Sequence, residues 1–242
     1  MSSRRRTHGT AHLPSGTTLE YMFSSPDAII LDASGAVSNK LAICLHPWSW
    51  LGGRMDDPVL QLLSVPLNQK GYHILRYNSR GVGKSTGWPS LSGSREVQDL
   101  QELVQWALGT ISPVTSVAII GYSYGSLIAS SMPALPNIKT SHVLLSYPLG
   151  PRHWLTAFRG KTYTAALRSL VQDPHSNVLV LHGDHDDFTS SDVYAAWAQS
   201  LVADETNNQG RLEVVQIEHG SHFWREEQAK KKLLEVVSRW LP

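Results

Sequence analysis

Short apolar runs rich in Ile, Val and Leu recur along this chain, and longer stretches with helical spacing lie between them. The runs fall at 28–31, 40–46, 72–78, 116–121, 141–147, 177–183 and 212–218. Several are nearly continuously apolar, as expected of strands covered on both faces. Val97, Leu100, Val104, Ala107 and Leu108 repeat at helical spacing and run into Gly109 as a stop signal. Val193, Trp197 and Leu201 repeat in the same way, as do Ala229, Leu233, Val236, Val237 and Trp240. Strands alternating with helices predict a three-layer α/β fold, with a mostly parallel central sheet flanked by helices.

The chain of 242 residues suits one domain with a sizeable core. Residues 17–242 are expected to form it. The segment 1–16 is polar, holds three consecutive arginines and has no acidic residue, so it is expected to be a disordered tail. Lys and Arg total 21 against 20 Asp and Glu, which gives no field favouring nucleic acid or anionic lipid. No apolar stretch approaches the roughly 20 residues that span a bilayer. The single cysteine, Cys44, excludes an internal disulfide and suits a reducing, cytoplasmic setting.

The segment Tyr77 to Trp88 contains Gly83-Lys84-Ser85, which is the ending of a phosphate-binding P-loop. That motif needs a glycine five positions earlier to start the turn around the phosphates. Asn78 stands there, and Gly87 and Pro89 continue the loop where a helix should begin. Nucleotide binding is therefore not expected.

Chemistry concentrates in Gly121-Tyr122-Ser123-Tyr124-Gly125, set between an apolar strand and a small-residue helix. This is a G-x-S-x-G nucleophile elbow. The turn is so tight that flanking side chains would clash, hence the glycines, and Ser123 is lifted to the carboxyl edge of the sheet. A serine hydroxyl needs a base, and the base needs an orienting carboxylate. Two later strands run into loops on the same edge. The first carries Asp184, Asp186 and Asp187, of which Asp186 is preferred as the acid. The second carries His219 and His222, of which His222 is preferred because it lies in the loop proper. The run 182–187 also resembles a binuclear zinc motif, but Val180 stands where its first histidine belongs, so no metal is expected.

With these residues in view, the chain resembles a small α/β-hydrolase from residue 27 to 242. The segment Leu45 to Gly53, with His46-Pro47, occupies the place of the family's His-Pro or His-Gly turn, and Arg80-Gly81-Val82-Gly83-Lys84-Ser85 that of its Arg-Gly-x-Gly-x-Ser turn. The resemblance implies that the glycine-rich loop lies beside the active site rather than cradling a phosphate. It also implies that Asp186 and His222 are the acid and base, and that backbone N–H groups of Trp48 and Tyr124 form an oxyanion hole. Pro47 departs from the usual glycine, although the implied donor is its neighbour. The implied activity is serine hydrolysis of an ester, thioester or amide through an acyl-serine, with no cofactor. The same architecture also hosts lyases, isomerases and non-catalytic binding proteins.

The family inserts its cap between the strands at 141–147 and 177–183. The segment around 148–176 has room for only a small lid. Trp48, Trp50, Trp88, Trp154 and Trp224 are expected near the site edge, which suits a small apolar or aromatic substrate. Arg152 and Arg159 are candidates for holding a carboxylate.

Overall fold

The computed structural model describes residues 6–26, 35, 38–157, 159–203 and 210–242. The apolar run at 28–31 lies outside the described residues. Eight strands form one sheet: β1 (Arg6–His12), β2 (Thr18–Ser24), β3 (Asn39–Leu45), β4 (Tyr72–Tyr77), β5 (Val114–Tyr122), β6 (Lys139–Leu145), β7 (Ser176–His185) and β8 (Arg211–Ser221). Their spatial order is β1-β2-β4-β3-β5-β6-β7-β8. β1 pairs antiparallel with β2, and β2 antiparallel with β4. Every later pairing is parallel.

Period-two alternation sorts the strand side chains onto two faces. Leu41, Ile43, Val117 and Ile119 face one core, while Ala42, Cys44, Ala118 and Ile120 face the other. The first core is closed by α2 (Ser94–Thr110), α3 (Tyr124–Ala129), α5 (Gly160–Gln172) and α6 (Ser191–Ala203). The second is closed by α1 (Pro58–Gln69) and α7 (Glu227–Trp240). Helices on both faces explain why the strands are apolar throughout. Cys44 is fully buried, and burial pushes its thiol up to about 12, so it is chemically quiet.

Two sequence expectations need correction. Residues 6–12 are not a disordered tail: they form β1, which pairs with β2 from Arg6↔Ser24 to His12↔Thr18. This strand is polar because it lies at the sheet edge, and only Ala11 in it reaches the core. Gly109 does not stop its helix, since α2 continues to Thr110. The segment 148–176 holds little that covers the site, in line with the expected small or absent cap. α5 contributes Tyr163, Leu167, Leu170 and Val171 to the core, which leaves only the short α4 (Arg152–Leu155) beside the sheet edge.

Candidate active site

Ser123 stands between β5 and α3 with φ 54° and ψ −119°, a conformation that L-residues rarely adopt. The local packing forces it there. A Cβ at position 121 would lie 2.4 Å from the Gly125 carbonyl oxygen, and one at position 125 would lie 2.5 Å from that of Leu45. Glycine is therefore required on both sides of the turn. The Ser123 N–H donates to the Leu145 carbonyl at 2.8 Å, and the Ser126 hydroxyl donates to the Ser123 carbonyl at 2.6 Å.

The structure brings Ser123, His222 and Asp186 together from three separate loops. His222 Nε2 lies 3.0 Å from Ser123 Oγ, and its Nδ1 lies 2.8 Å from Asp186 Oδ2. With the Nδ1 proton donated to the carboxylate, Nε2 is left as the acceptor for the serine hydroxyl. Asp186 Oδ1 accepts the N–H groups of Phe188 at 2.9 Å and Thr189 at 3.0 Å. The Asp186 side chain has no exposed surface, and that of His222 is only 5% exposed. The two preferred residues thus separate from their neighbours. Asp187 accepts the His222 backbone N–H at 3.3 Å, Asp184 lies 4.0 Å from His185, and His219 is exposed against the His185 ring.

β7 and β8 meet closely beneath this pair. A Cβ at Gly183 would sit 1.8 Å from the Gly220 carbonyl oxygen, so the strands touch backbone to backbone just before the acid and base loops. Tyr122 adds a tie that the sequence reading missed: its hydroxyl donates to the His222 carbonyl at 2.9 Å. Trp224, at φ 52°, is another, with its indole N–H donated to the Ser146 hydroxyl at 2.9 Å. Trp224 stood among the expected rim tryptophans, but it is buried in the core.

Trp48 and Tyr124 open the 3₁₀ turn Ser49–Leu51 and α3 respectively. Their N–H groups therefore lack a partner within their own helices. His46, two residues before Trp48, is buried and locks this segment. Its Nδ1 donates to the Pro47 carbonyl at 2.6 Å, and its Nε2 accepts the Ser79 N–H and hydroxyl, both at 3.0 Å. The far end is held by Asn78, whose Oδ1 accepts the Met55 N–H at 2.9 Å. Asn78 and Ser79 begin the glycine-rich loop. Its Gly83 has φ 57°, and a Cβ there would strike the Glu20 and Asn78 side chains, which favours glycine. Arg80 anchors the same loop on Asp99 through two hydrogen bonds, at 2.8 and 2.6 Å. The loop is a brace for the segment 46–55, and Ser85 is spent on the Asn78 carbonyl at 2.7 Å rather than offered to a phosphate.

Burial lowers the pKa of His46, and likewise that of the enclosed His142 on β6, to about 4. An unfolded histidine titrates near ~6.5. Between those values the unfolded chain binds more protons, so stability falls as pH drops from about 6.5 toward 4. By pH 5 each residue should account for a loss of about 2 kcal/mol, read as a lower urea midpoint. His142→Gln, which retains a donor for the Met132 carbonyl now held at 2.8 Å, should flatten that slope. A midpoint unchanged between pH 7 and 5 would contradict this assignment.

A cavity of about 390 Å³ opens at Ser123 and His222, walled by Trp48, Leu51, Pro148, Leu155, Phe188 and Phe223. Trp50 stacks on Trp48 at 6.3 Å between ring centroids and is largely exposed. Trp88 is exposed and does not line the cavity, and the side chain of Trp154 is outside the described residues. The aromatic wall therefore rests on Trp48, Tyr122, Phe188 and Phe223, with one tryptophan of the five expected. Neither Arg152 nor Arg159 lines it. Among the described residues, no group of three or more His, Cys, Asp or Glu side chains is placed to hold a metal. Among the described residues, no helix is long and apolar enough to cross a membrane.

The model of the X-Pro dipeptidyl-peptidase (S15) family matches residues 38–237, which include Ser123, Asp186 and His222. The chain belongs to the S15 family. It is thus a member of a serine-hydrolase family built on the α/β-hydrolase fold. Among relatives, an uncharacterized protein of Schizosaccharomyces pombe is 26% identical over 209 residues, spanning 85% of this chain and 87% of that one. An uncharacterized protein of Rickettsia prowazekii is 28% identical over 188 residues, spanning 76% and 72%. Among solved structures, an α/β serine hydrolase homologue from Coxiella burnetii superposes with a TM-score of 0.73, at 24% identity over 98% of this chain and 97% of that one. A lidless α/β serine hydrolase from Xanthomonas campestris gives 0.74, at 23% identity over 100% and 97%. A Pyrococcus furiosus esterase gives 0.71, at 19% identity over 99% and 94%. These superpositions establish the α/β-hydrolase fold.

Proposed function

We propose that this S15 member hydrolyses esters of small apolar or aromatic acids through an acyl-serine intermediate, with thioesters and amides as slower substrates. The observation that carries this reading is the continuous hydrogen-bonded line from Asp186 through His222 to Ser123, ending in an apolar cavity. Ser123 Oγ attacks the carbonyl carbon while its proton passes to His222 Nε2. The oxyanion is held by the N–H groups of Trp48 and Tyr124, and Asp186 balances the imidazolium. Collapse breaks the bond to the leaving alkoxide, which takes the proton from His222. Water, deprotonated by the same imidazole, then attacks the acyl carbon and frees the acid and Ser123.

Two further points support this reading. The Pyrococcus furiosus neighbour is named an esterase. The cavity volume falls in the range of small-molecule sites, about 300–1,000 Å³. The test is a series of nitrophenyl esters from acetyl to decanoyl, with a nitroanilide of the best acyl group. Activity should peak at short to middle chain lengths and fall for long ones, with the anilide much slower. A rate on every ester no greater than that of buffer would overturn it.

A further inference from the structure

Beyond Phe223 the reaction cavity adjoins a second cavity of about 520 Å³, and the two share Asp57, Tyr122 and Phe223 as walls. The two cavities form an inner and an outer lobe side by side next to the triad. The inner lobe is apolar, and its lining includes no cation. The outer lobe carries Arg225 and Lys230 as cations and Asp57 and Glu227 as carboxylates. Three of these four charges are already engaged. Lys230 pairs with Glu227 at 2.7 Å. Asp57 Oδ1 accepts the Val59 N–H at 2.8 Å, capping α1, and burial raises its carboxyl above the ordinary range.

Arg225 is the exception. Its guanidinium lies over the Phe223 ring, 5.1 Å from the centroid, and no carboxylate among the described residues pairs with it. The backbone that presents it is strained and fixed. Trp224, between Phe223 and Arg225, has φ 52°, is buried, and is tied by its indole to Ser146. A large aromatic residue adopts that conformation only where the surroundings over-determine it, a form of strain that concentrates at functional sites. One consequence is that the turn holds Phe223 at the junction of the lobes and Arg225 in the outer one. A guanidinium stacked on an aromatic ring keeps its planar donor edge free for a carboxylate.

We propose that the outer lobe is a second substrate subsite, in which Arg225 holds a carboxylate carried by the substrate away from its scissile carbonyl. The inner lobe takes the apolar part, so the favoured substrate is an ester that is apolar at one end and anionic at the other. This rests on the serine-hydrolase reading of Ser123 for the reaction, but binding to the subsite does not require turnover.

Two matched pairs of esters test it at low ionic strength, where an exposed charge is least screened. In the first pair the acyl chain ends in a methyl or a carboxylate, as nitrophenyl pentanoate and nitrophenyl hemiglutarate. In the second, a butyryl ester has a phenol bearing a carboxamide or a carboxylate. In at least one pair the anionic member should have a kcat/KM about tenfold higher, the size expected of one charged hydrogen bond. Arg225→Gln should bring that ratio to about one, and Arg225→Lys should retain part of it. Titrating folded Ser123→Ala with the intact esters reads the same preference as a ratio of Kd, so the subsite stands or falls even if no ester is turned over. Equal handling of both pairs in both assays, or a preference that survives Arg225→Gln, would overturn the subsite. Loss of all turnover with the Kd preference intact would instead count against the hydrolase reading alone.

Discussion

Ser123→Ala should lower ester turnover by three or more orders of magnitude while leaving the fold intact. The size follows from the proposed mechanism: without Oγ no acyl-enzyme can form, and the proposed oxyanion donors alone would retain only a small residue of catalysis. The fold should survive because the strain at φ 54° belongs to the backbone and is set by the close packing that Gly121 and Gly125 admit rather than by the hydroxyl. The hydroxyl's only side-chain partner among the described residues is His222. Substrate affinity should change little, since the cavity walls are untouched. A folded Ser123→Ala protein within tenfold of the wild-type rate would mean that the chemistry lies elsewhere.

Arg80→Met should cost about 3–5 kcal/mol, the usual consequence of stranding one member of a buried ion pair. Arg80 and Asp99 are 7% and 2% exposed and form a two-pronged contact. Burial raises the Asp99 carboxyl, and Arg80 is what opposes that shift. A loss of that size is a large share of the roughly 5–15 kcal/mol that holds a domain together. Arg80→Met with Asp99→Leu should recover most of it, because the stranded charge is then gone. Both are measured as urea unfolding free energies. Activity should fall in Arg80→Met even where the protein is folded, because the glycine-rich loop braces His46 and Met55 on either side of Trp48. An Arg80→Met protein within about 1 kcal/mol of wild type would show that the loop is held by its other contacts.

The parallel core of the sheet was legible because its strands are buried on both faces and so are apolar in unbroken runs. β1 was not, because an edge strand of Arg, Thr, His and Gly carries the composition of a tail, and pairing with β2 is a tertiary event. The helix at 191–203 was visible as an element, but its inward face is set by Tyr194 rather than by Val193, which is exposed. Aromatic residues with a polar tip escape a count of purely apolar spacing.

At the site, the glycines around Ser123 carry the signal because the tight turn admits nothing else. The choices of Asp186 and His222 required knowing which loop residue points inward; in the structure His222 lies against Ser123 and Asp186 against His222. The supporting ties left little trace in the sequence. Tyr122 sits at the free x of the elbow pattern, and His46 stood in view in the His-Pro turn with no role assigned. The tryptophans misled for a related reason. Trp224 satisfies its indole on Ser146 and so fits in the core, whereas smaller Phe188 and Phe223 line the cavity.

The most direct test of the central claim, an activated serine at position 123, is intact mass after incubation with a fluorophosphonate, followed by peptide mapping. The wild type should gain one adduct on Ser123, His222→Ala should react far more slowly, and Ser123→Ala should gain none. A folded wild-type protein that takes no adduct, or takes it on another residue, would contradict the account.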